Sequence, residues 1–231
     1  RALASARKAA IGSAMTSGPT FAILLGGVLT IDDRVRALVS GARAIAADGG
    51  MVHARALEIV PELWVGDFDS TGQALMDEHG ETPRLPFAAE KNFTDGELAI
   101  EQAIERGAKR LVLVGAFGGE RTDHAMMHLL HAIMLADRGF DVVLTSGIEE
   151  GAPLLPGRLD IDLPAGSLFS VIGFSALTGL SLKNVKYPLD DADIGFGASR
   201  TISNVAEGKV SFSLKSGRAL VVARPHDFSG A

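Results

Sequence analysis

Cysteine is absent from the 231-residue chain, which removes disulfides, thiolate metal sites and cysteine nucleophiles in one step. Aromatic side chains are scarce, with one Trp and one Tyr, and there are only six His. No basic tract occurs. Lys plus Arg number 22 against 28 Asp plus Glu, a formal charge of -6, so a nucleic-acid footprint is not expected. Long apolar runs are missing too: Phe21 to Leu25, the longest near the start, is far too short to span a bilayer. What remains in quantity is carboxylate and glycine, 27 Gly in all, and any chemistry must lean on them. With 47% hydrophobic and 22% charged residues the chain has the balance of a folded protein, long enough for one large domain or two modest ones.

Residues 1–18 are rich in Ala and Ser, carry Arg1, Arg7 and Lys8 and hold no acid, a composition that superficially suits a transit peptide. Ser17-Gly18-Pro19 reads as a breaker, and the segment is expected to be a poorly ordered leader. Nothing else directs the chain to a compartment, so a cytoplasmic location is expected.

Short apolar runs then alternate with helical patterns. Strands are expected at Phe21–Leu25, Ala42–Ala47, Leu63–Val65, Leu111–Val114 and Val142–Leu144. Helical spacing appears over Asp32–Val39, Met51–Ile59, Thr71–Glu78, Thr94–Arg106 and Thr122–Arg138. Thr94 and Glu97 stand in capping-box relation. Continuous apolar strands between helices predict a mostly parallel sheet covered on both faces. Past about residue 150 the helical period vanishes. Runs at Leu159–Leu163, Leu168–Phe174, Leu177–Val185, Lys209–Leu214 and Ala219–Ala223 predict a smaller all-β, sandwich-like domain. The expected division is 19–148 and 149–231, with the boundary in Gly147–Pro156.

Ligands of an open parallel sheet bind beyond the carboxyl ends of its strands. The segments following the expected strands are Gly26-Gly27, Asp48-Gly49-Gly50, Gly66-Asp67-Phe68-Asp69-Ser70 and Gly115 to His124. Asp67 and Asp69 are two apart, which in extended backbone puts both carboxylates on one side, where they repel unless a cation lies between them. Hard oxygen ligands of this kind suit Mg²⁺ completed by phosphate oxygens, although an Asx turn would use the same residues. Gly26-Gly27, Gly49-Gly50 and Gly118-Gly119 let backbone amides approach an anion. Arg121 would neutralise phosphate charge. Lys91, Asn92, Thr94, Asp95 and Glu97 form a polar cluster opening a helix. There Asp95 suits the helix dipole, or stands beside the metal with Lys91 on phosphate. His124 at a helix start reads as structural or catalytic.

As an ordered set, these residues resemble the thiamin pyrophosphokinase family. The matching signatures are Ala47-Asp48-Gly49-Gly50, Gly66-Asp67-Phe68-Asp69-Ser70, Lys91 with Thr94-Asp95 and Glu97, and Gly118-Gly119 with Arg121, Asp123 and His124. Thr178-Gly179-Leu180 and Ser203-Asn204 follow in the β-rich part. The resemblance covers roughly residues 20–225. It implies a Rossmann-like ATP-binding domain followed by a thiamin-binding β domain. It also implies a homodimer with the active site at the interface, and Mg²⁺-dependent transfer of pyrophosphate from ATP to thiamin, giving AMP and thiamin diphosphate.

By that resemblance Asp67, Asp69 and Asp95 hold Mg²⁺, with Asp48 close by, and Lys91 and Arg121 contact phosphate. Asp69, Asp95, Lys91 and Arg121 make up the catalytic set, with Asp95 or Asp69 as proton acceptor. Asp48, Gly49, Gly50, Gly118, Gly119, Asp123 and His124 bind the nucleotide, and Ser203 and Asn204 line the thiamin pocket. Two departures stand out: Asn92 replaces a frequent Asp, and Glu120 is an extra residue before Arg121. Tyr187, Phe196 and Phe212 are the candidates to stack on thiamin. Two rivals use the same residues: a haloacid-dehalogenase-type phosphohydrolase with Asp67 as nucleophile, and a non-catalytic nucleotide or metabolite sensor.

Overall fold

The computed structural model describes residues 18–69, 71–87, 93–119 and 121–230. The expected leader up to residue 17, and Ser70, Lys91, Asn92 and Glu120, lie outside the described residues. The chain runs β1 (Thr20–Leu24), α1 (Asp33–Val39), β2 (Arg43–Ala47), a 3-10 turn (Asp48–Met51), α2 (Val52–Leu57) and β3 (Leu63–Gly66). It continues through α3 (Gln73–Glu78), β4 (Arg84–Pro86), α4 (Asp95–Glu105), β5 (Arg110–Val114), α5 (Thr122–Asp137) and β6 (Asp141–Thr145). From there the described regular elements are strands: β7 (Glu150–Leu154), β8 (Gly157–Asp162), β9 (Leu168–Gly173), β10 (Leu177–Val185), β11 (Leu189–Ile194), β12 (Asn204–Leu214) and β13 (Ala219–Arg224).

Local chemistry fixes the helix starts. The Asp32 carboxylate accepts from Val35 N–H at 2.7 Å and caps α1. The expected capping box opens α4: Thr94 Oγ1 accepts from Glu97 N–H at 3.2 Å, and Glu97 accepts from Thr94 N–H at 2.8 Å.

Six strands in the order β4-β3-β2-β1-β5-β6 are parallel, as the apolar runs predicted. Alternate residues bury both faces. Phe21 and Ile23 meet Ala99, Ile100 and Ala103 of α4 and Ala132, Ile133 and Leu135 of α5. Ala22 and Leu24 meet Val35, Leu38 and Val39 of α1 and Ala54 and Leu57 of α2.

The two expected halves share one sheet. β7, inside the expected boundary, pairs antiparallel with β6, and the sheet continues through β13, β9, β12, β10 and β11. The core that holds Ala22 and Leu24 also holds Phe169, Val171 and Phe212 of the strand-rich half. The sandwich-like layering is present within that half. β12 pairs with β9 at Asn204 and Val205, then leaves to pair with β8 and β10. The Phe169 and Phe212 rings pack edge to face at 5.6 Å. A buried ion pair locks the halves, with Arg34 of α1 holding Glu150 of β7 through two hydrogen bonds of 2.6 and 2.7 Å. Among the described residues no helix is long and apolar enough to cross a membrane.

Candidate active site

The strand order reverses between β1 and β5, and such a switch point opens a crevice beyond the strand ends. Close backbone approach builds it. A Cβ on Gly27 would stand 2.3 Å from the Gly115 carbonyl oxygen, and one on Gly50 2.1 Å from that of Leu24, so no side chain fits at either position. Gly27 N–H donates to Gly115 O at 3.1 Å. Gly49, Gly118 and Gly119 are exposed beside this seam.

The acids gather at the neighbouring exits. Asp48 ends β2 with a left-handed φ of 40°. It is held from several sides: Trp64 Nε1–H donates to its carbonyl at 2.9 Å, and Thr71 Oγ1–H to its carboxylate at 3.3 Å. Burial pushes the Asp48 carboxyl above its ordinary value, and the negative charges of Asp95 and Asp67 push it further, against hydrogen bonds from Gly49 N–H and Thr71. Carboxylates from the β3 exit and the first turn of α4 thus bear on the one at the β2 exit. Among the described residues no cationic side chain figures in the field on Asp48.

The expected extended pairing of Asp67 and Asp69 is corrected. β3 stops at Gly66, Phe68 turns left-handed at φ 61°, and Asp67 Oδ1 accepts from Asp69 N–H at 3.3 Å. The segment is an Asx-type turn, braced by the edge-to-face contact of Phe68 on Trp64 at 5.1 Å. No group of three His, Asp or Glu among the described residues is arranged to hold a metal ion by itself. An oxygen-only donor set suits Mg²⁺ brought in with phosphate, because that ion needs one or two carboxylates and takes other ligands from substrate and water.

The remaining expected residues divide. Arg121 and Asp123 pair with each other at the start of α5, at 2.9 and 2.7 Å, both exposed, and the guanidinium holds the Asp123 carboxyl far below the carboxylate range. His124 is exposed beside them. Ser203 and Asn204 stand at the start of β12, eight strand positions from β3, roughly 38 Å along the sheet at about 4.8 Å per strand. Ser203 is exposed with φ 60°. Asn204 is buried, and its amide brackets Tyr187, accepting from Tyr187 N–H at 3.1 Å and donating to Tyr187 O at 2.8 Å. Phe212 is a core residue and is removed as a stacking candidate, whereas Tyr187 and Phe196 are exposed. Thr71, Trp64 and two histidines, His53 and His128, also shape the site and were not singled out from the sequence.

A family model described as thiamin pyrophosphokinase, catalytic domain, matches residues 36–144. A second, described as thiamin pyrophosphokinase, vitamin B1 binding domain, matches residues 158–218. The chain belongs to the thiamin pyrophosphokinase family. The thiamine pyrophosphokinase of Bacillus subtilis (strain 168) is 29% identical over 183 residues, 77% of this chain and 85% of that protein. The solved Geobacillus thermodenitrificans thiamin pyrophosphokinase has 26% identity and a TM-score of 0.75, covering 92% of this chain and all of that one. The solved Bacillus subtilis thiamine pyrophosphokinase shares the fold at 24% identity and a TM-score of 0.78, covering 90% of this chain and all of that one.

The two thiamin pyrophosphokinase matches cover different candidate residues. Asp48, Asp67, Asp69, Asp95, Arg121 and Asp123 fall in the first, and Ser203 and Asn204 in the second. Gly26 and Gly27 of the crevice lie ahead of both. The phosphohydrolase and sensor readings find no support in these comparisons.

Proposed function

We propose that the protein transfers the pyrophosphoryl group of ATP to the hydroxyl of thiamin, giving thiamin diphosphate and AMP. The observation that carries this is the Asp48 carboxyl, buried and bearing the negative charges of Asp67 and Asp95, beside a glycine-built crevice at the switch point. Acids gathered where an anion would sit call for a divalent cation between them. ATP enters with its phosphates along Gly26-Gly27, Gly49-Gly50 and Gly118-Gly119. Asp67, Asp69 and Asp95 would hold Mg²⁺, with Asp48 behind them, and the ion supplies neutralisation of phosphate charge. Arg121 and Lys91 add positive charge, and Arg121 leaves Asp123 to do so. The thiamin hydroxyl oxygen bonds to the β-phosphorus as the bond from that phosphorus to the α–β bridging oxygen breaks. AMP departs, and Asp95 or Asp69 takes the hydroxyl proton. Catalysis is alignment and charge balance rather than strong base chemistry.

The active form is a homodimer. The acids and the Ser203–Asn204 region lie far apart along one chain, so a second copy is needed to bring a thiamin surface to the phosphates. Exposed Met126, Leu130 and Met134 on α5, and Tyr187, Phe196 and Ile202 in the strand-rich half, supply apolar surface for it. The test is an assay of the purified protein with ATP, Mg²⁺ and thiamin, following AMP and thiamin diphosphate. Thiamin-dependent AMP is expected, and its absence overturns the proposal.

A further inference from the structure

We propose that His53 is a positioning residue for the nucleotide: its side chain fixes the Gly26-Gly27 turn in the shape that receives the phosphates. The inference rests on the ATP reading above and assigns one of its supports. His53 belongs to α2, after the β2 exit, yet its ring reaches the crevice between β1 and β5. Its Nε2 lies 2.9 Å from the Gly27 carbonyl oxygen. It also stands 3.3 Å from where a Cβ on Gly115 would be, so the ring touches both strand exits.

The Gly27 residue is thereby gripped on two sides. Its N–H donates to Gly115 O at 3.1 Å, and its carbonyl accepts from His53 Nε2. Two residues before Gly27, Leu25 N–H donates to Val114 O at 2.8 Å. Both backbone groups that bear on the ring, the carbonyls of Gly27 and Leu25, are acceptors, so Nε2 carries the proton. Burial holds the imidazole below its ordinary value, against those two carbonyls, so His53 supplies a donor rather than a charge. That separates its role from the one given to Arg121 and Lys91.

A Gly-Gly turn needs such a prop. Two glycines have more backbone freedom than any other pair, and Val28, the next residue, is exposed and packs little. A turn released from His53 would have to be ordered again by each arriving nucleotide, and that cost appears as lost affinity. His128 plays a similar part on the far wall: its Nδ1 lies 3.3 Å from Ala116 O, and its Nε2 lies 3.5 Å from where a Cβ on Gly96 would be.

The experiment compares the parent protein with His53→Leu, His53→Gln and His53→Asn. It measures ATP affinity by calorimetry with Mg²⁺ present, KM for ATP and for thiamin, and melting midpoints. Gln places an amide nitrogen where Nε2 stands, whereas the Asn side chain is too short to reach Gly27. The expected result is ATP binding weakened about tenfold in His53→Leu, the size of one lost hydrogen bond to a partly buried carbonyl. KM for thiamin stays at the parent value, Gln restores ATP affinity and Asn does not. Unchanged ATP affinity in His53→Leu, equal shifts for ATP and thiamin, or Asn restoring as well as Gln would each overturn the inference. If the Leu variant does not fold, the Gln-against-Asn comparison decides alone. A parent protein that binds no ATP fails the underlying reading, and the inference with it.

Discussion

Asp160, on β8, sits 2.7 Å from Ser211 Oγ and 3.1 Å from Arg158 Nε, with Lys209 beyond. Asp48, at the end of β2, has Asp95 and Asp67 for its charged neighbours. Ser211 first, then Arg158, hold the Asp160 carboxyl below its usual range, while burial and like charge push that of Asp48 above it. The contrast extends across the sheet. In the antiparallel half Asp191 faces Lys215, Asp227 faces Arg224, and Glu150 faces Arg34. These carboxylates, each matched by a cation of the same chain, are part of the scaffold, unlike the exposed Arg121–Asp123 pair at the start of α5. The Asp48 carboxyl, at a parallel strand end, is held at a cost, and sites of function are where such a cost persists.

The strongest test of the matched side is Arg34→Ala, which strands a fully buried Glu150 carboxylate. Stability should fall by about 3–5 kcal/mol, read from the denaturant midpoint, and a loss within experimental error would break the comparison. At the parallel strand ends, Asp67→Asn should lower turnover roughly 100-fold, about 2.7 kcal/mol in the barrier. Its melting midpoint should hold or rise, because one of the repelling charges is gone. A variant that loses stability but keeps turnover would reverse the assignment.

Asn204→Ala returns to the scaffold side and is smaller. It leaves Tyr187 N–H and C=O without their bracket and should cost about 1–3 kcal/mol in the denaturant midpoint, with ATP affinity untouched. The smallest effect belongs to Asp48→Asn and is a matter of sign. The folded state holds the Asp48 proton more tightly than the unfolded state does. Stability therefore falls as pH climbs from the ordinary value of 3.8 through the raised one. Asp48→Asn should melt above the parent at neutral pH and level with it below 3.8. An offset that does not change with pH would show that Asp48 feels no such field.

The strand exits were legible because each is a local event: Leu111 to Val114 is apolar and Gly115 ends it, and Thr94 with Glu97 announces α4 three residues apart. The extent of the sheet was not. β7 reads Glu-Gly-Ala-Pro-Leu, and its Gly and Pro look like a linker until β6 and β13 are there to pair with it. β11 carries three Asp in six residues and passes for a loop, which is also what keeps an edge strand from recruiting another chain. β4, three residues ending in Pro86 at the opposite edge, escaped for the same reason. Within the site, the presence of acids was readable but their geometry was not. The left-handed turn at Phe68 occurs at a residue whose type gives no warning of it. Asn204 finds its partner 17 residues away and His53 finds its own 26 away, separations at which pattern and propensity carry no information.

The position of β13 sets an order of events for the growing chain. It lies between β7 and β9, joined to the first from Ala219 to Ala223 and to the second from Ala219 to Arg224. The strand synthesised last among the thirteen described is therefore the seam that stitches the parallel half to the strand-rich half. Until residue 224 has left the ribosome, β7 and β9 each present an open edge, and the chain is at its most exposed to pairing with a neighbour. A fragment cut at residue 218, where the second family match ends, would contain every acid of the candidate site and still lack the strand that makes the molecule one sheet.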